Sequence, residues 1–156
     1  MKPPKSVNIS IRKSLGTGKS RGEFLDGVQL DLRNMQQALK KAKLQMDNTL
    51  SDLKMTKKSA EIHLKQFFEL CTNQGLVPVV YYTGHGEKGT GNWCFSDGTI
   101  SIQEIQGLLP GGSLYPLLIS DACFSGYWAN DCFRNPGKMD CLAAAPEFSV
   151  ALDTAG

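Results

Sequence analysis

The stretch LVPVVYY at residues 76–82 is a continuous run of apolar, β-branched and aromatic side chains. Such a run is typical of a strand that is covered on both faces of a sheet. YPLLIS at 115–120 has the same character, and FSVALD at 148–153 is predicted as a third buried strand. The sequence VNISI at 7–11 alternates apolar and polar residues and predicts a shorter strand.

Helical patterns lie between these strands. Three helices are predicted: residues 28–42, with apolar side chains three and four apart; residues 56–75, with Thr56 as N-cap; and residues 101–109, where Ser101 and Glu104 have capping-box spacing. A weak extended stretch is expected at 44–55, a hairpin turn at Asp97-Gly98, and a long loop at 126–147. Alternating strands and helices predict an α/β fold, a mainly parallel sheet with helices on both faces.

Length and charge limit the possible function classes. The 156 residues are enough for one compact domain and too few for two ordinary ones. No apolar run approaches the roughly 18 residues of a membrane span. The first ten residues lack the apolar core of a secretory signal, so we expect a cytoplasmic protein with reduced thiols. Residues 1–75 carry an excess of basic side chains, but these interleave with apolar residues, which favours solvated helix faces over nucleic-acid binding.

Two cofactor patterns are absent or incomplete. The five cysteines form no C-x-x-C pair, which argues against a zinc ribbon and a dithiol redox centre. The tripeptide GKS at 18–20 is similar to the end of a phosphate loop, but Lys13 stands where that loop requires glycine. We therefore predict no nucleotide, metal or other cofactor and interpret residues 12–27 as a surface loop.

The reactive residues follow two of the predicted strands. TGHG at 83–86 comes after the first strand, and DACFSG at 121–126 comes after the second. A cysteine attacks as the thiolate, whose population near neutral pH is small because the free thiol has a pKa of about 8.5. An imidazole nearby can take that proton and later return it to a leaving amine. Since neighbouring parallel strands end at one edge of a sheet, we expect His85 and Cys123 to lie together.

The other histidine and cysteines have structural explanations. His63 lies within a predicted helix and is interpreted as a surface or boundary residue. Cys71 falls on an apolar helix face, where a free cysteine usually acts as a small core residue. Cys94, Cys132 and Cys141 have no adjacent histidine or carboxylate pattern and are interpreted as inert.

These motifs resemble those of the caspase-like cysteine peptidases, specifically the metacaspase and paracaspase branch. VVYYTGHG at 79–86 is similar to the family's strand ending in S-G-H-G, and LLISDACFSG at 117–126 to its strand ending in D-A-C-x-S-G. LDGVQLD at 25–31 is similar to the L-x-G-x-x-x-D of the family's first helix. The resemblance implies that Cys123 is the nucleophile and that His85 is the general base and acid. It also implies an oxyanion hole formed by the N–H groups of Gly86 and Cys123.

The resemblance and the local charge together predict specificity. Caspases that cut after aspartate carry Gln-Ala-Cys, whereas here the position before Ala-Cys is Asp121. An acidic group beside the nucleophile repels aspartate and attracts Arg or Lys, so we expect cleavage after basic residues. Asp31 matches a second acidic pocket position of metacaspases. The alternative interpretation is that Asp31 has no role in substrate binding and is simply a carboxylate that the N-terminus of a helix favours. Arg134 and Lys138 are candidate self-cleavage sites, since relatives process the corresponding linker.

Partners and alternatives follow from the same comparison. Caspase-like sheets usually continue with a further strand and two helices, so the chain is expected to be a large-subunit portion that needs a C-terminal fragment or a dimer partner. Calcium activates part of the metacaspase branch, but Asp131 and Asp140 form no recognisable calcium loop. The alternatives are a catalytically silent caspase-like module that acts as a binding partner, and a legumain-like or clostripain-like protease. Peptides or proteins are the expected substrates, with no nucleic acid or membrane.

Overall fold

The computed structural model describes residues 4–10, 28–43, 45–51, 56–111 and 114–148. In chain order its elements are β1 (Pro4–Ser10), α1 (Val28–Lys41), β2 (Gln45–Ser51), α2 (Lys57–Gln74), β3 (Val77–Thr83), β4 (Trp93–Phe95), β5 (Gly98–Ile100), α3 (Ile102–Gly107), β6 (Leu117–Asp121), α4 (Gly126–Arg134) and β7 (Asp140–Ala143). None of the described helices is long and apolar enough to cross a membrane.

The main sheet has the strand order β2-β1-β3-β6-β7, and every neighbouring pair is parallel. The predicted α/β fold with a parallel sheet is therefore confirmed. The chain first moves from β1 outward to β2 and then returns to β3 on the other side of β1. In parallel sheets of this kind, ligands bind beyond the carboxyl ends of the strands.

Helices cover both faces of this sheet. Successive side chains of β3 alternate between the faces, so Val80 and Tyr82 lie on one face and Thr83 on the other. Leu64 of α2 packs in the same buried cluster as Val80 and Tyr82. Asp31 of α1 instead accepts a hydrogen bond from the Thr83 hydroxyl, at 3.1 Å. The two helices therefore lie on opposite faces of β3.

Capping contacts confirm the predicted starts of α2 and α3 and the predicted end of α2, whereas α3 ends at Gly107, two residues before the predicted end. The Thr56 hydroxyl accepts a hydrogen bond from the Ser59 N–H at 3.0 Å, and Gly75 ends α2 in the left-handed conformation. At α3, Ser101 Oγ accepts from the Glu104 N–H at 3.1 Å, and Glu104 accepts from the Ser101 N–H at 2.7 Å. Each cap satisfies N–H groups that the first helical turn leaves without a partner.

The predicted hairpin is present and contributes to the core. Strands β4 and β5 pair in antiparallel fashion, with the turn at residues 96–97, one position before the predicted pair. All three residues of β4 are buried. The largest fully buried side chains lie in the hairpin, in α2 to α4, and in strands β3 and β6: Trp93, Trp128, Tyr82, Phe67, Phe68, Phe95, Leu64, Ile100, Ile105 and Leu118.

The prediction of a loop over 126–147 is wrong in its secondary structure. Residues 126–134 form α4, and residues 140–143 form β7 beside β6. The apolar signal of α4 is short, since it rests mainly on Trp128 and Cys132, four positions apart and both buried. Three of the four residues of β7 are exposed, so it lacks the apolar run of the central strands.

Some predicted segments lie outside the described residues. These are the whole predicted loop at 12–27, which includes the first three residues of the LDGVQLD motif, and residues 149–153 of the predicted strand at 148–153. The weak extended stretch at 44–55 contains β2, and the short strand at 7–11 overlaps β1.

Candidate active site

His85 lies in the loop directly after the central strand β3. Its side chain is half-buried and follows Thr83, the last residue of the strand, by two positions. Its carbonyl oxygen accepts hydrogen bonds from the Cys94 N–H at 3.1 Å and from the Tyr82 hydroxyl at 2.8 Å. The loop is therefore tied both to hairpin strand β4 and to the strand that precedes it.

Cys123 lies in the turn between β6 and α4. It follows Asp121, the last residue of β6, by two positions, and its side chain is half-buried. The next residue, Phe124, has a φ of 57°, in the left-handed region that residues other than glycine rarely adopt. Such a conformation costs about 1–3 kcal/mol and persists only where the surroundings hold it. The turn around Cys123 is thus sharply bent and held under backbone strain.

The two loops meet at the carboxyl edge of the sheet. Thr83 and Asp121 are register partners in the parallel β3–β6 pair, and the Gly84 N–H donates to the Asp121 carbonyl at 3.3 Å. A Cβ built on Gly86 would collide with the carbonyl oxygen of Cys123 and lie 3.1 Å from its nitrogen. Glycine is therefore required at this position, because its main chain packs directly on that of Cys123.

The last two residues of the D-A-C-x-S-G pattern anchor the turn. The buried hydroxyl of Ser125 accepts a hydrogen bond from the Ala145 N–H at 3.1 Å and donates to the Ala145 carbonyl at 3.3 Å. Gly126 packs so closely on the following segment that a Cβ would lie 2.7 Å from the carbonyl carbon of Pro146. Both residues fix the Cys123 turn against the segment that follows β7.

The two acidic residues expected to face a basic substrate are joined through hydroxyl groups of β3. Tyr81 donates to Asp121 at 2.9 Å, and Thr83 donates to Asp31 at 3.1 Å. Burial, followed by the Asp121 carboxylate, raises the pKa of Tyr81, so its hydroxyl stays protonated as a donor. Sequence reasoning missed both hydroxyls. Tyr81 and Thr83 are two residues apart on β3, and this spacing, which places side chains on the same face of a strand, could have indicated them.

A stack of three aromatic rings connects the elements that carry the two loops. Tyr82 stacks on Trp93, with centroids 4.5 Å apart, and Trp93 stacks on Trp128 at 4.6 Å. The indole N–H of Trp93 also donates to the buried Ser120 hydroxyl at 2.8 Å. The stack therefore joins β3, which precedes His85, to β6 and α4, which flank Cys123. Sequence reasoning missed it, because nothing in the residue spacing brings the three rings together.

The remaining thiols differ in their surroundings. Burial raises the pKa of Cys94 to about 12 and that of Cys141 to about 12. Burial also raises the pKa of Cys132, to about 11. Cys71 is fully buried in the core, as expected. Cys94 lies closer to the site than its sequence spacing indicates, because its N–H pairs with His85.

The residues considered for processing and for metal binding lie on and after α4. Arg134 is exposed in the last turn of α4, and Lys138 is exposed in the turn before β7.

A cavity of about 330 Å³ lies between α4, the start of α3 and the loop at 90–92. Within the described part of the chain, no three His, Cys, Asp or Glu side chains are grouped to hold a metal ion.

Solved structures share this fold. A crystal structure of a Geobacter sulfurreducens protein matches 98% of this chain and 77% of its own, with a TM-score of 0.66 and 14% identity. The crystal structure of caspase-1 from Spodoptera frugiperda matches 99% of this chain and 64% of its own, with a TM-score of 0.63 and 15% identity. The chain thus spans slightly less than two thirds of that caspase. At these identities the likeness establishes the fold alone.

Sequence comparison identifies the family. No curated protein is significantly similar to the chain. The family model described as the caspase domain, however, matches residues 18–146, which include both strand-end motifs and most of the chain. With the parallel sheet and the two loops meeting at its carboxyl edge, this match shows that the chain belongs to the caspase-domain family.

Proposed function

We propose that the chain is the catalytic part of a cysteine-type endopeptidase in which Cys123 is the nucleophile and His85 the general base. The observation that carries this proposal is the main-chain contact between Gly86 and Cys123. It brings the histidine loop and the cysteine turn into direct contact at the edge of the sheet where α/β proteins bind ligands. The caspase-domain family supports a peptidase of this class.

The proposed reaction uses groups of this chain alone. His85 takes the Cys123 proton, and the thiolate attacks the substrate carbonyl carbon to form a C–S bond. The N–H groups of Gly86 and Cys123 then donate to the oxyanion. Protonated His85 gives its proton to the leaving amine as the C–N bond breaks, and it later activates the water that hydrolyses the thioester. Gly86 pairs with Trp93 as a non-hydrogen-bonded pair, which directs its N–H away from β4.

The acidic side chains support a preference for Arg or Lys at the cleaved bond. Asp121 is half-buried two residues before the nucleophile, and Asp31 lies in the first turn of α1 on the same face of the sheet. The Tyr81 and Thr83 hydroxyls, which donate to these two carboxylates, restrict their orientations. A fixed carboxylate offers a guanidinium two parallel acceptors, whereas an aspartate side chain would be repelled.

The proposal is tested by hydrolysis of matched Arg, Lys and Asp reporter peptides. We expect turnover of the Arg and Lys peptides that is lost in Cys123→Ala and His85→Ala. Asp121→Asn should lower kcat/KM for the Arg peptide by about 30-fold, the equivalent of about 2 kcal/mol for an unpaired charge. Asp140→Asn, which alters an exposed carboxylate on β7, is the matched control. A preference for the Asp peptide, or full activity in Cys123→Ala, would contradict the proposal.

Self-processing is a finer part of this proposal. A peptidase of this kind binds its substrate in extended form, and Lys138 lies in an exposed turn whereas Arg134 lies within a helix. Lys138 is therefore the favoured site, and Arg134 requires unwinding of the last turn of α4. Intact-mass measurement of wild type and Cys123→Ala tests this. Shortening of the wild type alone supports it, and an intact wild-type chain at high concentration contradicts it.

We also propose a partner chain and a compartment. Strand β7 is short and exposed, and large apolar side chains near it reach solvent, with Phe133 87% and Leu142 58% exposed. An uncovered strand edge with apolar neighbours favours a second copy or a C-terminal fragment that extends the sheet. All five cysteines are free thiols, which supports a cytoplasmic location.

A further inference from the structure

We propose that Tyr82 is the positioning residue of His85, which it orients through a hydrogen bond to the histidine's own carbonyl oxygen. The Tyr82 hydroxyl lies 2.8 Å from the His85 carbonyl oxygen and 3.2 Å from that of Cys94. The hydroxyl has one proton to donate, and the His85 carbonyl is the nearer acceptor. This inference rests on the proposed function, because it assigns a role to the base of that reaction.

The ring that carries this hydroxyl has no freedom to move. Tyr82 is fully buried and stacks nearly parallel on Trp93, at an interplanar angle of 10°. Trp93 is itself held on its other side by Trp128 and by its hydrogen bond to Ser120. Because Tyr82 is fully buried against a Trp93 that is itself held by Trp128 and Ser120, the phenol oxygen is fixed relative to β6, the strand that leads to Cys123. Tyr82 thus relates the histidine loop to the cysteine strand.

The donor also persists over the whole pH range in which a cysteine peptidase works. Burial, and then the Cys94 and Cys123 thiols beside it, raise the pKa of Tyr82 well above that of a free tyrosine. The hydroxyl therefore remains protonated, and stays a donor, across that range. The Cys94 N–H, the second donor to the His85 carbonyl, does not titrate at all. Together they fix the peptide unit of His85, and with it the direction in which the imidazole leaves the backbone.

Replacement of Tyr82 by Phe separates this role from packing. Phenylalanine keeps the ring and its stack on Trp93 but removes the donor to His85. A displacement of a catalytic base by a fraction of an ångström is enough to slow its reaction by about tenfold or more. The matched control is Tyr115→Phe, which removes a hydroxyl that donates to Asp140 at 3.2 Å and is partly exposed.

The experiment measures the rate at which iodoacetamide alkylates Cys123 between about pH 5 and 9, a range that spans the ordinary pKa values of histidine and cysteine. Peptide mapping identifies the modified thiol. We expect wild type and Tyr115→Phe to react faster below pH 7 than His85→Ala. Below pH 7, Cys123 of Tyr82→Phe should be alkylated about tenfold more slowly than Cys123 of the wild type. The same variant should have a lower kcat for a peptide substrate, with KM unchanged. A purely structural role would lower the unfolding temperature without moving the pH profile.

The outcomes separate the two proposals. If wild type differs from His85→Ala but Tyr82→Phe matches wild type, the role of Tyr82 is wrong and the proposed function stands. If wild type and His85→Ala have the same profile, the proposed function fails and the role of Tyr82 fails with it. Should Tyr82→Phe not fold, wild type labelled with [ζ-¹³C]tyrosine gives a second readout. Slow hydroxyl exchange at Tyr82 supports the inference, and exchange as fast as at Tyr115 overturns it.

Discussion

At the scale of single residues, Gly86 is the glycine at which an added Cβ would collide most severely with its surroundings, the main chain of Cys123. The Cα of Gly86 packs on the main chain of Cys123 with no space for a side chain. This contact involves an oxyanion donor and the nucleophile of the proposed mechanism at once. A single methyl group added at Gly86 would therefore displace Cys123. The same group added at Gly107, which has open surroundings, would displace nothing.

Substitution of Gly86 by Ala should therefore impair both folding and catalysis. The added methyl group must displace the Cys123 carbonyl, and overpacking of this kind costs about 1–3 kcal/mol. We expect a lower free energy of unfolding in urea together with loss of peptide turnover. Gly107→Ala, where nothing lies within 4 Å of the added Cβ, should leave turnover unchanged and, because the residue is helical, should not lower the free energy of unfolding. Equal behaviour of the two variants would show that the close packing is absent.

At the scale of elements, the sequence predicts strands and helices best where most of their side chains are buried. Strand β3 appears as an apolar run because six of its seven residues are buried, and in β6 alternate residues are buried and the others partly so. Helix α2 appears through Thr56 and Gly75, which cap its ends. His85 and Cys123 each come two residues after the end of one of these strands. Predicting the two strands therefore also predicts where the candidate site lies. The residue patterns therefore predict the pair before any distance is known.

The elements that the sequence does not predict are those at the rim. Helix α4 and strand β7 bury few side chains, so their apolar pattern is too short to outweigh the polar and turn-forming residues around Pro136. A continuously apolar strand also gives no indication of which residue faces which side. The different roles of Tyr81, which donates to Asp121, and Tyr82, which donates to His85, depend on that alternation.

An ion pair between α2 and α3 gives a pH-dependent prediction. Lys57 Nζ lies 2.8 Å from Glu104 Oε1, with side chains 30% and 43% exposed. The hydrogen bond from Lys57 lowers the pKa of Glu104, and the same bond raises the pKa of Lys57. The stabilisation is therefore present between the ordinary pKa values of the two groups. It is lost as pH falls through the lowered pKa of Glu104, or rises through the raised pKa of Lys57.

Glu104→Gln should accordingly lower the free energy of unfolding by about 0.2–1 kcal/mol at neutral pH, as for other exposed pairs. The difference from wild type should shrink as pH falls below the ordinary pKa of glutamate, about 4.3, and disappear below the lowered pKa of Glu104. Urea titrations at several pH values measure it, with the exposed Glu69→Gln as a control of equal charge change. A difference that persists in acid would show that the capping interaction of Glu104, and not its charge, is responsible.

At the scale of the whole molecule, the β7 edge of the described sheet exposes apolar side chains. Strand β7 pairs with β6 on one side. Leu142, which lies in β7, is 58% exposed. The same region contains Phe133 and Phe148, which are more exposed still. Apolar side chains at an open strand edge promote pairing with another chain.

We therefore expect association through β7 to depend on Leu142. Sedimentation velocity should show concentration-dependent self-association of the wild type that is weakened in Leu142→Lys, because a lysine disfavours edge pairing. Ile62→Lys is the matched control, since Ile62 is 50% exposed on α2, away from this edge. Association of Leu142→Lys and Ile62→Lys to the same extent would place the interface elsewhere.

The central claim is that Cys123 is a nucleophile in a site that accepts a basic side chain. The most direct measurement is covalent labelling with an arginyl peptide acyloxymethyl ketone and its aspartyl counterpart, followed by intact mass and peptide mapping. We expect one adduct per chain, on Cys123, formed about 30-fold or more faster with the arginyl reagent and lost in His85→Ala. Labelling of Cys141 in place of Cys123, or equal rates with the two reagents, would contradict it.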